Sequence, residues 1–349
     1  MLSRRRLLLA LSALSPSLAL AGDARDALLA AAEAALARGD AGAAIEAFDK
    51  AALMQHAPDT EMGLVRAYLQ QGEYRRALAF CAHTAGAHRE APAASALYAW
   101  LLAAGGQAVF ARRVLDEAAA RAPGDAVLAE ARRQLASALP VTTPALRRLP
   151  HRLAPQPVAL AGLVPDTARV AASGVLLPGG RQALVPLGAL EHRVEAVWLR
   201  NGLGVTSPGR IQRRLDGLGV ALVTLDAAMA PAEGAGPAPR DPFAGSPGFV
   251  VSFAPSTDAS PAWPWLHQGF VGAGRRLGIE LPAGASGGAV FDAAGRWTGV
   301  APGGDAMLGI DRLREALGDA MPVAVDGVAR VPVDVIYERS LRIVMQVIV

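Results

Sequence analysis

Three glycine-led dipeptides, Gly39-Asp40, Gly72-Glu73 and Gly106-Gln107, recur at spacings of 33 and 34 residues. A repeat of that length restricts the fold more than any other feature of the chain, because each unit must be a supersecondary element that stacks on its neighbours. The block from Ala24 to about Leu139 is alanine-rich and reads as helical. Small residues (Ala44, Ala77, Ala111) stand five places after each glycine, where paired helices must approach. Larger apolar residues (Phe48, Cys81, Leu115) stand nine places after. Each glycine then marks the turn between the two helices of its unit, where a left-handed residue ends the first helix. Pro58 lies near the end of the first unit and Pro123 closes the third.

This pattern resembles the tetratricopeptide family, with alanine in place of several of the family's aromatics. The resemblance implies three repeats and a capping helix from Asp125 to Leu139. It implies a groove for a polypeptide or protein partner; the plainer alternative is a spacer that only positions the next domain. No basic cluster on the first helices marks a carboxylate clamp. The single cysteine, Cys81, has no intrachain partner, and its helical context makes it a packed residue.

The N-terminus carries Arg4-Arg5-Arg6 before the apolar run Leu7 to Leu20, with Ala19-Leu20-Ala21 as a small-residue cleavage site. Residues 1–21 therefore read as an export signal, general secretory or twin-arginine, for a periplasmic or exported protein. The alternative is an inner-membrane anchor left uncleaved. Those three arginines equal the whole formal charge of +3. With no cationic stripe and no interleaved aromatics, nucleic acid is excluded as a partner.

After the helical block (22–139), Pro140 to Pro157 reads as a Pro/Arg-rich linker. From 158 to 320 the period changes to that of short strands: Val158–Ala161, Val170–Leu177, Ala183–Leu187, Val194–Leu199, Val220–Leu225, Phe249–Phe253, Ala289–Phe291 and Trp297–Val300. Many short strands with turn residues between them argue for an all-β barrel or sandwich. Ala227 to Gly248, rich in Ala, Pro and Gly, reads as a mobile surface loop, and Asp292 to Gly295 as a β-turn.

Within this region Gly284-Ala285-Ser286-Gly287-Gly288 precedes a strand. A serine on a tight glycine turn, with backbone N–H groups beside it, is what an acyl-transfer nucleophile and its oxyanion need. The run is similar to the nucleophile loop of trypsin-like serine proteases, most of all the HtrA-type branch. The resemblance covers about Val158 to Leu317. Ser173-Gly174-Val175-Leu176-Leu177 resembles the strand that opens the family's first barrel, and Gly309 to Leu317 its strand-to-helix exit. It implies Ser286 at the nucleophile position and Gly284, Ala285 and Ser286 as the oxyanion-type loop. At the positions of the family's histidine and aspartate this chain has Gly188 and Gly219. Loss of triad members costs about 10⁴ to 10⁶ in rate, so an inactive protease is expected.

The alternative base is His192, four residues past Gly188; His267 is a second candidate, and Asp216 and Asp226 flank the acid position. Ser286 itself has a plain reading too, since a small residue suits the turn. Along the sequence the six histidines are scattered, so no metal and no cofactor are expected. The tail 321–349 holds a short helix (Val335–Ser340) and a β-prone run (Leu341–Val349), similar to the lead-in that normally precedes an HtrA-type barrel. It is expected to pair with a barrel edge as a permuted or extra strand, or to exchange with a second chain and give a homodimer.

The expected fold is an α + β multidomain chain: an all-α tetratricopeptide solenoid followed by an all-β trypsin-like double β-barrel. The expected function is non-catalytic protein binding by an exported scaffold or regulator, through the repeat groove, the barrel cleft or both. An active serine endopeptidase using Ser286 and a purely structural module are the alternatives.

Overall fold

The computed structural model describes residues 22–136, 164–190, 196–230, 236–326 and 329–349. The expected signal (1–21), the linker (140–157) and the strand at Val158–Ala161 lie outside these residues.

Seven helices come first: α1 (22–37), α2 (Ala41–Met54), α3 (Pro58–Gln70), α4 (Tyr74–Ala87), α5 (Pro92–Ala104), α6 (Ala108–Arg121) and α7 (Ala126–Ala136). They form antiparallel pairs. Gly39, Gly72 and Gly106 end α1, α3 and α5 with φ of 78°, 83° and 82°. At each of them the N–H of the following residue returns to a carbonyl five residues back: Asp40 to Ala35, Glu73 to Tyr68 and Gln107 to Leu102, at 2.8–2.9 Å. These Schellman closures explain why glycine recurs with the repeat. Ala44, Ala77, Ala111, Phe48, Cys81 and Leu115 are all buried, as their spacing requires. Phe48 fits against α3 only because Gly63 has no side chain; a Cβ there would overlap the ring.

The β region has two halves. β1 (Val170–Leu176), β2 (Gln182–Pro186), β3 (Ala196–Asn201), β4 (Thr206–Leu215), β5 (Val220–Leu225) and β12 (Val344–Ile348) close a six-stranded barrel in the order β1-β12-β3-β4-β5-β2. Its interior is filled by alternate small and branched residues, among them Ala172, Val185, Leu199, Val223 and Val347. The second half comprises β6 (Pro247–Ser252), β7 (Trp265–Val271), β8 (Leu277–Gly278), β9 (Gly288–Phe291), β10 (Trp297–Gly303) and β11 (Ala306–Gly309), ordered β11-β10-β9-β6-β7-β8. A bridge between Arg276 and Ala306 links its ends, so this barrel is nearly closed.

β12 pairs antiparallel with β1 on one side (Val170 with Ile348) and with β3 on the other (Met345 with Asn201). It therefore completes its own chain's barrel. This is the permuted-strand arrangement of the two the sequence suggests, with both edges of β12 paired within the one chain. The segment Ala227–Gly248 also departs from a mobile loop in its described second half. Pro237 bridges Trp297, and the Asp241 carboxylate accepts from the Asp311 N–H at 3.0 Å, holding the start of the helix Ile310–Leu317.

Array and barrels share one core. Phe48, Tyr74, Leu97 and Leu101 belong to the same apolar cluster as Val175, Phe253, Trp263, Tyr337 and Val344. The repeat turns themselves dock. Gln70 Nε2 donates to the Leu203 carbonyl (3.1 Å), Arg342 Nη2 to the Gln71 carbonyl (3.1 Å), and Gln268 Nε2 to the Gly106 carbonyl (2.7 Å). The helix Val333–Ser340 is wedged at this junction. Its Tyr337 meets Tyr74 edge to face at 4.5 Å, and its hydroxyl donates to the Pro264 carbonyl at 2.8 Å. Burial pushes the Tyr337 phenol far up from its ordinary value, so it donates at every working pH.

Tyr337→Ala is expected to cost about 3–5 kcal/mol by leaving an aromatic-sized cavity, and Tyr337→Phe only about 1 kcal/mol for the lost hydrogen bond. Urea unfolding followed by tryptophan fluorescence separates the two values.

Candidate functional site

Ser286 sits where the two barrels meet. Its loop is closed by backbone bonds from Ala285 N–H to the Pro282 carbonyl (3.0 Å) and from Gly287 N–H to the Ala301 carbonyl (2.7 Å). The Ser286 carbonyl accepts from the Ser173 N–H of β1 at 2.8 Å, which ties the loop to the first barrel. Ser173 is fully buried, and its hydroxyl accepts from the Phe253 N–H at 2.8 Å, just beyond β6. One residue of the Ser-Gly strand motif thus braces both barrels and the serine loop.

The glycines have separate reasons. Gly284 and Gly287 both have φ of 78°. A Cβ on Gly287 would overlap the Ser173 carbonyl and the Pro186 ring, and one on Gly288 would crowd Ser252 and the Val251 carbonyl. Ser286 is half-buried, and its hydroxyl makes no hydrogen bond to another described residue. The backbone N–H groups of Gly284 and Ser286 have no acceptor among the described residues either. An oxyanion site needs free donors of this kind directed at one point.

Gly188 and Gly219 are neighbours of that loop and of each other. Gly188 lies in the short 3₁₀ turn Leu187–Ala189 that follows β2, and Pro186 is the residue that closes on Gly287. The Leu187 N–H donates to the Gly219 carbonyl at 2.9 Å. Gly219 ends the turn Asp216–Leu218 with φ of 69° and leads into β5. The Leu187–Gly219 bond thus joins the two glycine positions, and Pro186 links the first of them to the serine loop. Both glycines are exposed, and a Cβ at either would meet nothing within 4 Å.

His192 lies outside the described residues. His267 lies on β7 opposite Val250, in the row that continues to Val290, and so belongs to the second barrel's interior face. Its Nε2 has no hydrogen-bond partner, Ser286 included. Burial lowers its pKa from 6.5 to about 4, so it is neutral at pH 7. Asp216 and Asp226 sit near surface arginines, 3.8 Å from Arg214 and Arg210 respectively.

Residues 35–101 match the tetratricopeptide repeat family. No curated protein matches the chain. The matched tetratricopeptide segment runs from the end of α1 into α5 and takes in the Gly39 and Gly72 closures. Its first-position helices are largely withdrawn from solvent: α3 and α5 each bury ten of their thirteen residues. Exposed large apolar groups of the array fall on the second-position helices, Leu53 and Met54 on α2 and Val109 and Phe110 on α6. Beside α6, Tyr98, Leu102, Phe110, Arg113 and Glu117 line a shallow groove of about 310 Å³. Sequence spacing also hid a grouping on this array. His56, Glu61 and His88, scattered along the chain, come together in space.

The neutral His267 sets a pH dependence. Its folded pKa lies below its unfolded one, so the unfolded chain binds more protons between pH 6.5 and 4. The stabilisation is complete above pH 6.5 and is lost as pH falls toward 4, by roughly 3 kcal/mol at most. Thermal midpoints measured across that range should fall less steeply in His267→Leu than in the wild type.

Proposed function

We propose that the chain is an exported protein-binding scaffold: a tetratricopeptide array fused to a trypsin-like double barrel that has lost its catalytic base and acid. Tetratricopeptide arrays bind polypeptides over extended surfaces. The observation that carries the barrel reading is the pair of exposed glycine positions, Gly188 and Gly219, joined through Leu187, with Pro186 against Gly287 of the serine loop. A serine hydroxyl with no base in reach is a poor nucleophile at neutral pH. What is left is a loop with free backbone donors, suited to holding an extended peptide. Export rests on the arginine-led apolar run of residues 1–21. Among the described residues no helix is long and apolar enough to cross a membrane.

The test is active-site labelling. A fluorophosphonate probe is expected to leave Ser286 unmodified in the wild type, while Gly188→His should raise labelling by about 100-fold, the low end of what a positioned base contributes. The Gly188 backbone has no positive φ and the site has room, so the new imidazole is tolerated sterically. Wild-type labelling abolished by Ser286→Ala would overturn the non-catalytic reading. On the array, Phe110→Glu should weaken binding of library-selected peptides to the full chain, with Ser286→Ala as the control for the barrel.

A further inference from the structure

Two of the six histidines and a glutamate meet at one end of the α3–α4 hairpin. His56 comes from the turn before α3, Glu61 from the first turn of α3, and His88 caps the end of α4. The ligand atoms of these three residues all lie within 4.8 Å of one another. His56 Nε2 is 2.6 Å from Glu61 Oε1, and His88 Nε2 is 3.5 Å from Glu61 Oε2.

Burial makes the cluster unusual. Glu61 is only 4% exposed and His88 only 7%. A carboxylate taken out of water needs full compensation. Yet Glu61 Oε2 and His88 Nε2 face each other with no hydrogen-bond partner on either. A simple ion pair would draw these two atoms into a bond. Their spacing suits something between them instead. Two ligand atoms held about 2.1 Å from one tetrahedral zinc ion lie about 3.4 Å apart. The outer shell is built as well. The exposed Glu90 Oε1 lies 3.4 Å from His88 Nδ1, the other ring nitrogen, where an outer carboxylate can orient the imidazole with Nε2 toward the centre.

We propose that His56, Glu61 and His88 form a binding site for a divalent transition-metal ion, zinc by the chemistry of the donors. Two neutral imidazoles and one carboxylate are a borderline-soft set that suits zinc better than calcium or magnesium. His83 stands at the rim, its Nε2 4.0 Å from Glu61 Oε1 and its ring stacked on Phe80. It is exposed, so it supplies the fourth ligand by a side-chain swing or leaves that position to water. The site closes the hairpin at the end opposite Gly72, about 20 Å along α3 from the turn that docks on the barrel. The ion would staple the two helices of the second repeat without touching the serine loop.

The experiment uses the tag-free full-length chain. Zinc is titrated in competition with a chromogenic chelator, and cobalt is added separately for its visible spectrum. The expected result is one equivalent of tightly bound zinc, a tetrahedral cobalt spectrum, and a thermal midpoint that rises with zinc and falls back with EDTA. Glu61→Gln and His88→Ala should each weaken binding by more than about 100-fold, beyond what loss of an outer-shell partner costs. Glu61→Gln keeps the shape of the side chain, and its far-UV circular dichroism in EDTA checks that the array still folds. Absence of a stoichiometric zinc site in the wild type overturns the proposal. So does binding that survives in the Glu61→Gln, His88→Ala double variant.

Discussion

The segment Val333–Ile348 is the constraint on which the two-domain arrangement depends. Its helix places Tyr337 between the array and the barrels, against Tyr74, with the phenol held by the Pro264 carbonyl. A few residues later β12 supplies the strand without which β1 and β3 would face each other across a gap. Apolar burial and ladder closure are therefore coupled in one stretch of chain. The repeat glycines take part in the same junction. Gly72 lies against Arg342 and Leu203, and Gly106 against Leu266, so a Cβ at either would crowd the barrel as well as strain the turn.

Around Ser286 the contacts are made by backbone and ring atoms. The Leu187–Gly219 bond and the Pro186–Gly287 contact are main-chain and ring contacts that do not need an imidazole or a carboxylate. The serine loop is held from Ser173 and from β9, both parts of the core, so its shape is maintained by packing rather than by chemistry.

Much of this architecture was legible in the sequence. Glycine spacing located the helical pairs because a Schellman closure requires a left-handed residue, and period-two apolar runs located β1, β2, β5, β6, β9 and β10. β4 was missed for a physical reason. It contains Pro208 and Gly209 and turns Arg210, Arg213 and Arg214 to solvent, so it carries little apolar alternation. β7 was hidden by His267, Gln268 and Gly269 in the same way. Gly188 and Gly219 could be singled out only through resemblance, since absent side chains leave no signal of their own. His56, Glu61 and His88 gave none either. Their closeness comes from helix pairing, which sequence spacing does not show.

The first barrel also carries a cost in folding order. Val170 must find Ile348, with the entire second sheet lying between them along the chain. During synthesis the helical array and the second sheet can settle early, while β1 and β3 wait with open ladders until Val344–Ile348 has emerged from the ribosome. Non-local closure of this kind is slow, and exposed strand edges invite aggregation in the meantime. A chaperone that shields β1 and β3 would shorten that vulnerable interval.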